Sequence, residues 1–223
     1  MTTSPATRLG SMKHPEIAKT RTLTDAELRT FWTGIVNSPV SRQVGLGLRL
    51  ILLTGMRSSE CAGLRIAELE EDMIHLPGER TKNGKPHLLP LPAMAREIIA
   101  EAIEIGGDEE FVFPSPNVPG RPMDGHAFAV AMRRFSERVG GSWAKRPTPH
   151  DLRRTLRTRL SALRIPREVC EAILNHKPPG IVSTYDQHEY LDEKRGALEA
   201  WARMLGTILD DKSERKVVAF GRR

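Results

Sequence analysis

Aromatic residues and cysteines are scarce in this sequence, and no apolar run is long enough to cross a membrane. Phe, Trp and Tyr make up 5% of the chain, which argues against single-strand nucleic-acid binding by serial base stacking. The two cysteines, Cys61 and Cys170, form no CxxC pair, so neither a disulfide framework nor a zinc site is indicated. The most apolar run, residues 46–56, is too short for a membrane span. There is no signal-peptide core, and the composition suits a reducing cytosol.

Positive charge is abundant and unevenly distributed. The 223 residues carry a formal net charge of +6. Residues 131–167 contain eleven Lys or Arg against two acidic residues, so this block has a net charge of +9 and the rest of the chain −3. A concentrated basic block is typical of phosphate binding, and duplex DNA is the polyanion we expect. A solvated helix face is the alternative. The candidate DNA contacts are Arg133, Arg134, Lys145, Arg146 and Arg154.

Apolar periodicity predicts a mainly α protein with a small antiparallel β-sheet, of the α+β class. The first helix follows the capping box Thr24-Asp25-Ala26-Glu27. Further helices are predicted over about residues 41–54, 57–64, 92–105, 124–139, 149–163, 166–175 and 192–209. Short strands are predicted at 73–76 and 87–91, joined by a hairpin turn at Asn83-Gly84. This hairpin would place Lys82 at its tip.

Several polar residues at element ends are candidates for chemistry, although each has a simpler interpretation. Arg57 is within helical reach of Glu60, which can orient its guanidinium. His150 and Arg153 share one face at the first turn of a helix, where backbone amides also favour an anion. Taken singly, residues of these types are more often surface charges, helix caps or core aromatics.

Five short motifs occur in order along the chain. They are Thr54-Gly55-Met56-Arg57-Ser58-Ser59-Glu60, Arg80-Thr81-Lys82-Asn83-Gly84-Lys85, His150-Asp151-Leu152-Arg153-Arg154-Thr155, Leu174-Asn175-His176 and Ser183-Thr184-Tyr185. This set resembles the catalytic domain of the tyrosine recombinases, the phage-integrase family, over about residues 22–205. Tyr185 follows His176 by nine residues, which is the family spacing.

The resemblance implies a fold and a reaction. Tyr185 would attack a DNA phosphodiester, leaving a 3′-phosphotyrosine and a free 5′ hydroxyl, and a 5′ hydroxyl of another strand would reverse the step. Neither a metal ion nor a nucleotide cofactor is implied. Residues 21–210 would form the catalytic DNA breaking-rejoining domain, between a flexible N-terminal tail or linker at 1–20 and a basic tail at 211–223.

The resemblance also implies residue roles. Arg57, Arg153 and His176 would stabilise charge on the non-bridging phosphate oxygens. Lys82 would be the general acid for the leaving 5′ oxygen, and His150 would assist proton transfer near the nucleophile. Glu60 would orient Arg57 without touching DNA.

Other assignments remain open at this stage. Tyr190 and Lys85 compete for the roles of Tyr185 and Lys82, and His87, Arg154 and His188 are either phosphate contacts or scaffold. A type IB topoisomerase-like activity and a non-cutting DNA-binding regulator are the alternative functions. Asn175 stands where many relatives have glycine, and Asn tolerates the left-handed conformation.

The resemblance implies partners as well. We expect double-stranded DNA as substrate, a homotetramer on paired sites with a monomeric isolated domain, accessory DNA-bending and excision factors, and no membrane contact. The expected location is the bacterial cytoplasm, on chromosomal or phage DNA of an integrated mobile element. Because full-length relatives carry an N-terminal clamp domain, we expect this chain to be a domain of a longer protein, with a stand-alone short recombinase as the alternative. The strand-like segment 217–220 in the tail would dock on a neighbouring protomer.

Overall fold

Helices dominate the chain, which is described here from a computed structural model over residues 21–37, 40–140, 143, 145–176 and 189–210. The helices are α1 (Asp25–Ile35), α2 (Arg42–Thr54), α3 (Ser58–Ala62), α4 (Ala93–Gly106), α5 (His126–Val139), α6 (Pro149–Ala162), α7 (Arg167–Ile173) and α8 (Leu191–Asp210). The predicted tails 1–20 and 211–223, and Tyr185, lie outside the described residues. The predicted α+β class is confirmed.

Helix α2 is the centre of the core. Its residues from Val44 to Thr54 are buried except Arg49, and it packs against α4, α5, α6 and α8. The absence of a side chain at Gly47 lets the Phe128 ring pack against the backbone of α2. A Cβ at this position would lie 2.5 Å from a ring carbon of Phe128. The helix ends at Gly55, whose φ of 72° is left-handed, as predicted. The chain therefore turns sharply into α3 and carries Arg57 out of the core.

The small sheet is antiparallel, with the strand order β1 (Leu69–Glu70), β2 (Met73–Leu76) and β3 (His87–Pro90). The pairing of β2 with β3 confirms the predicted hairpin, whereas β1 was not predicted because two residues carry no periodicity. The connection spans residues 77–86, which is the length that the predicted strands leave between them. It also contains a 3-10 helix at Gly78–Arg80 before the turn, which was not predicted.

Several predicted helix bounds need correction. Helix α3 covers Ser58–Ala62 only, α5 begins at His126 instead of 124, and α7 covers Arg167–Ile173 instead of 166–175. Pro92 precedes α4 as its N-cap residue instead of occupying the first helical position. All of these differences lie at helix ends, where bounds are hardest to predict.

Helix α8 closes the core. It buries Leu198, Trp201, Leu205 and Ile208, as predicted, and the Trp201 indole donates a hydrogen bond to the Leu52 carbonyl at 3.1 Å. No helix among the described residues is long and apolar enough to cross a membrane.

The two left-handed glycines that end α2 and α4 provide a matched stability test. A Cβ at Gly55 would lie 2.7 Å from Leu156 Cδ2 and 2.8 Å from Leu174 Cδ2, whereas Gly107 (φ 58°) has no atom within 4 Å of that position. We expect Gly107→Ala to lower the free energy of unfolding by about 1 kcal/mol, the conformational cost alone. Gly55→Ala should lower it by roughly 2–4 kcal/mol, because overpacking adds to that cost.

Urea unfolding of both variants measures the difference. Equal losses would show that the core around Leu156 and Leu174 yields to the added methyl group.

Candidate functional site

One open pocket of about 590 Å³ is lined by most of the predicted catalytic residues. Its lining is drawn from the α2–α3 turn, the β2–β3 connection, the start of α6 and the end of α7. The lining residues are Arg57, Lys82, Asn83, His150, Arg153, Asn175 and His176. The structure thus brings together five of the six predicted catalytic side chains, while Tyr185 lies outside the described residues.

Glu60 holds Arg57 at the mouth of this pocket. The Arg57 Nη1 donates to Glu60 Oε1 at 2.7 Å, and the Arg57 backbone N–H donates to Glu60 Oε2 at 2.9 Å. The carboxylate is 2% exposed and the guanidinium 21%. Because the same carboxylate caps α3 and pairs with the arginine, the guanidinium is oriented by a rigid helix start, as predicted.

The C-terminus of α7 forms a second wall. Asn175 has a φ of 48°, and the Asn175 and His176 amides donate back to Ala172 and Glu171 at 3.2 and 3.0 Å. This is a Schellman arrangement, in which a left-handed residue turns the chain away from the helix. The carbonyls of Leu174 and Asn175 therefore face the pocket instead of continuing the helix.

Arg153 is the deepest cation of the site. It is 5% exposed, and its Nη2 donates to the Leu174 carbonyl at 3.2 Å. Burial, followed by the charge of Arg57, lowers its pKa to about 10, so it remains protonated at neutral pH. Arg57 in turn donates to the Asn175 carbonyl at 3.2 Å. Two mutually repelling guanidinium groups are thus held against adjacent carbonyls.

His150 lies beside Arg153 at the start of α6. The predicted N-cap Thr148 forms a capping box with Asp151, whose Oδ2 accepts from the Thr148 amide at 2.8 Å. Burial and the charges of Arg154 and Arg153 lower the pKa of His150. This favours a neutral imidazole, which is the form able to accept a proton.

His176 is oriented by a residue that the sequence reasoning missed. Its Nδ1 lies 2.6 Å from Glu171 Oε2, and Glu171 also accepts from Arg157 Nε at 3.0 Å. Burial opposes ionisation of Glu171, but hydrogen bonds from His176 and Arg157 lower its pKa overall. Since a carboxylate only accepts, Nδ1 carries the proton, and Nε2 faces Arg153 Nη2 at 3.5 Å. The left-handed Asn175 was the only sequence signal for this fold-back.

Lys82 reaches the pocket from the β2–β3 connection. The Gly84 amide donates to the Thr81 carbonyl at 3.3 Å, which makes Lys82 and Asn83 the central residues of a turn. Lys82 is exposed, and its competitor Lys85 is exposed after the turn and is not among the lining residues.

The predicted DNA contacts are mostly accessible. Arg133, Arg134, Lys145 and Arg146 are exposed. Arg154 is half-buried, and its Nη1 pairs with Asp151 Oδ1 at 3.0 Å.

Tyr190 and His188 are two of the three alternatives that remain. Tyr190 is partly buried against the core with a left-handed φ of 53°. His188 lies outside the described residues.

His87, for which a phosphate contact and a scaffold role were both left open, is buried and is not among the lining residues of the pocket. His87 on β3 is 5% exposed and Lys194 on α8, which was not singled out in the sequence, is 4% exposed. Burial, Lys194 and Arg153 lower the pKa of His87 to about 3, and burial lowers that of Lys194 to about 8. The Lys194 Nζ donates to the Leu88 carbonyl at 2.8 Å and joins α8 to the hairpin strand. Among the residues that the structure covers, no three His, Cys, Asp or Glu side chains cluster as a metal site.

Arginine and histidine side chains thus surround one open pocket on a helical domain with a small sheet, and donors of this kind are suited to a phosphate-like anion. The family model of the phage integrase family matches residues 21–191. The chain belongs to this family.

Individual relatives agree with the family assignment. The prophage integrase IntZ of Escherichia coli (strain K12) is 33% identical over 175 residues, which are 76% of this chain and 41% of that protein. The integrase of mycobacterium phage Brujita has the same fold, with a TM-score of 0.62 at 16% identity over 90% of this chain and 67% of that one. The Tn1549 transposon integrase in complex with circular intermediate DNA gives a TM-score of 0.57 at 21% identity, covering 85% and 66%. The matched part of the chain spans about two fifths of the length of IntZ.

The buried His87 makes the stability of the protein sensitive to acid. A histidine in the unfolded chain has a pKa of about 6.5, whereas burial lowers the pKa of His87 in the folded protein to about 3. Below about pH 6.5 the unfolded state therefore binds a proton that the folded state does not, and the free energy of unfolding falls towards pH 3. Between about pH 7.5 and about pH 5.5 we expect the wild type to lose about 1 kcal/mol more than His87→Gln.

Urea unfolding at the two pH values measures this loss. Parallel pH profiles for the two proteins would contradict the assignment to His87.

Proposed function

We propose that residues 21–210 are the catalytic domain of a tyrosine site-specific recombinase, an integrase of a phage or mobile element that cleaves and rejoins DNA strands. The observation that carries the proposal is the convergence of Arg57, Lys82, His150, Arg153 and His176 on one open pocket. These residues come from four separate segments of the chain, and a scaffold alone would not need that combination in one place.

The two arginines are suited to a phosphate in its transition state. Attack on a phosphodiester gathers negative charge on the two non-bridging oxygens, and preoriented donors stabilise that charge most strongly where water is excluded. Arg57 and Arg153 retain further N–H groups beyond those bound to Glu60 and the helix-end carbonyls. Their mutual repulsion is relieved when an anion binds between them, which favours binding of the charged intermediate.

In the proposed step, the phosphoryl group at the cleaved phosphodiester is transferred from the DNA 5′ oxygen to the protein. The Tyr185 oxygen forms a bond to phosphorus as the bond from phosphorus to the 5′ oxygen breaks. The tyrosine proton passes towards His150, and Lys82 gives a proton to the leaving 5′ oxygen. The reverse step uses the 5′ hydroxyl of another strand and regenerates the free tyrosine, so no energy source is consumed.

His176 is held in position by Glu171. Its Nδ1 lies 2.6 Å from Glu171 Oε2, so the ring is fixed with Nε2 towards Arg153. We therefore assign His176 to a phosphate oxygen bound beside Arg153.

The proposed partner is double-stranded DNA. The net charge of +9 over residues 131–167, the exposed Arg133, Arg134, Lys145 and Arg146, and the DNA complex of the related transposon integrase support this. A tetramer on two paired sites, with accessory DNA-bending and excision factors, completes the proposal. The reaction would take place on chromosomal or phage DNA in the bacterial cytoplasm, as for a prophage integrase.

Covalent trapping tests the reaction and the nucleophile together. The protein is incubated without metal on a randomised pool of nicked duplexes, from which the short cleaved end diffuses away and prevents rejoining. We expect an SDS-resistant protein–DNA adduct that peptide mass spectrometry maps to Tyr185, and a loss of at least about 100-fold in Tyr185→Phe, as expected when a nucleophile is removed.

Tyr190→Phe is the matched control, since it removes the other tyrosine of the chain. An adduct on Tyr190 would retain the reaction class and overturn the nucleophile. Salt-sensitive duplex binding without an adduct would favour a non-cutting regulator, and relaxation of supercoiled DNA independent of a partner site would favour a topoisomerase.

The basic block predicts the salt dependence of binding. Each phosphate contact that is lost should reduce the slope of log K against log salt by about 0.9. The double variant Arg133→Ala/Arg134→Ala is therefore expected to lower the slope by roughly 1–2, measured by fluorescence anisotropy on a labelled duplex. Arg203→Ala is the control, because Arg203 is 72% exposed and lies outside the block. Equal slopes in all three proteins would remove α5 from the DNA interface.

A further inference from the structure

The side chain of Asn83, next to Lys82 in the β2–β3 turn, is bonded to the end of α7. Its Nδ2 donates to Asn175 Oδ1 at 2.7 Å and to the Asn175 carbonyl at 3.1 Å. Neither residue was among the predicted site residues. This is the contact that joins the turn to the opposite wall of the pocket.

The direction of the Asn83 amide is set by its own turn. The Lys85 backbone N–H donates to Asn83 Oδ1 at 3.1 Å. An N–H requires an acceptor, so Oδ1 must face Lys85 and Nδ2 must face Asn175. The Asn83 side chain thus bonds the turn at one end and α7 at the other.

Because residue 175 is Asn, its side-chain Oδ1 accepts from Asn83 in addition to its backbone carbonyl. Glycine also adopts the left-handed conformation that Asn175 has at φ 48°, but glycine would offer Asn83 only a backbone carbonyl. That carbonyl also accepts from Arg57 Nη2 at 3.2 Å. One residue therefore ties together the turn, Arg57 and the segment that carries His176.

A lysine that acts as a general acid needs its backbone held in place, as the Asn83–Asn175 contact holds the turn. Lys82 is exposed, and its side chain has four rotatable carbon–carbon bonds, so a mobile turn would spread its ammonium group over many positions. Proton transfer requires the donor within hydrogen-bond reach of the leaving oxygen. Fixing the backbone at the adjacent residue reduces that spread without occupying the ammonium group itself.

We propose that the Asn83–Asn175 side-chain pair is a latch that positions Lys82 over the phosphate pocket. The proposal rests on the proposed recombinase function for the role of Lys82, whereas the latch itself is a property of the free protein. Asn83 and Asn175 are positioning residues, acting through Lys82.

Hydrogen exchange of the free protein tests the latch without DNA. Asn175→Gly removes Oδ1 while it retains an unstrained backbone and the carbonyl, and Asn175→Asp restores an acceptor for Asn83. We expect amide exchange in residues 81–86 to rise about 2- to 10-fold in Asn175→Gly, as for the loss of one hydrogen bond, and to return towards wild type in Asn175→Asp. Exchange in α4 is the internal reference. Unchanged exchange at 81–86 in Asn175→Gly would overturn the latch.

A substrate with a changed leaving group tests whether the latch positions Lys82 for proton transfer. At the phosphate identified by covalent trapping, the 5′ bridging oxygen is replaced by sulfur, whose thiol has a pKa of about 8.5 and leaves without a general acid. Asn175→Gly should slow cleavage of the oxygen substrate at least about 3-fold more than that of the sulfur substrate, and Lys82→Ala should show the same pattern more strongly.

The ratio of the two rates separates positioning from general damage. Asn175→Asp is expected to keep a ratio near wild type even if its added charge lowers both rates. Equal slowing of both substrates in Asn175→Gly would overturn the positioning role. Absence of any covalent protein–DNA adduct in the wild type would instead refute the proposed function, and the exchange result would still decide whether the latch exists.

Discussion

The site depends on two arginines held together by the end of a helix. Arg57 and Arg153 repel each other, and the repulsion together with burial lowers the pKa of Arg153. The carbonyls of Leu174 and Asn175, exposed by the left-handed end of α7, accept from both guanidinium groups. Without this helix end, Glu60 would be the carboxylate partner of Arg57, but the buried Arg153 would lose the carbonyl that accepts its hydrogen bond. The arrangement leaves a cationic pocket that becomes more stable when an anion enters.

The surrounding structure keeps this pocket rigid in the absence of a ligand. Gly55 turns the chain so that Arg57 leaves the core next to its partner Glu60. The capping box at Thr148 begins α6 and sets the direction of Arg153. Because Arg57 and Arg153 are both oriented by helix termini, little reorganisation would be needed in the proposed reaction when charge develops on a phosphate, and this is the basis of electrostatic preorganisation.

Local signals in the sequence predicted much of the fold. Capping boxes, left-handed glycines and prolines act over three or four residues, so the ends of α1, α2 and α6 could be predicted without tertiary information. The bounds of β2 and β3 also followed from local alternation, but the 3-10 helix between them and the contact of Asn83 with Asn175 were not predicted, because both depend on packing against distant residues. Glu171 was missed because its contact with His176 exists only after the chain folds back at Asn175.

The sequence by itself determined the family resemblance, the fold class and the residues with the required chemistry, because these depend on residue type and order. The tertiary structure decided which of those residues meet. It brought Arg57, Lys82, His150, Arg153 and His176 to one pocket, and it buried His87 against Lys194 far away in the chain. Such contacts follow from the packing of α2, α6, α7 and α8 around one core, and long-range packing leaves no local signature in a single sequence.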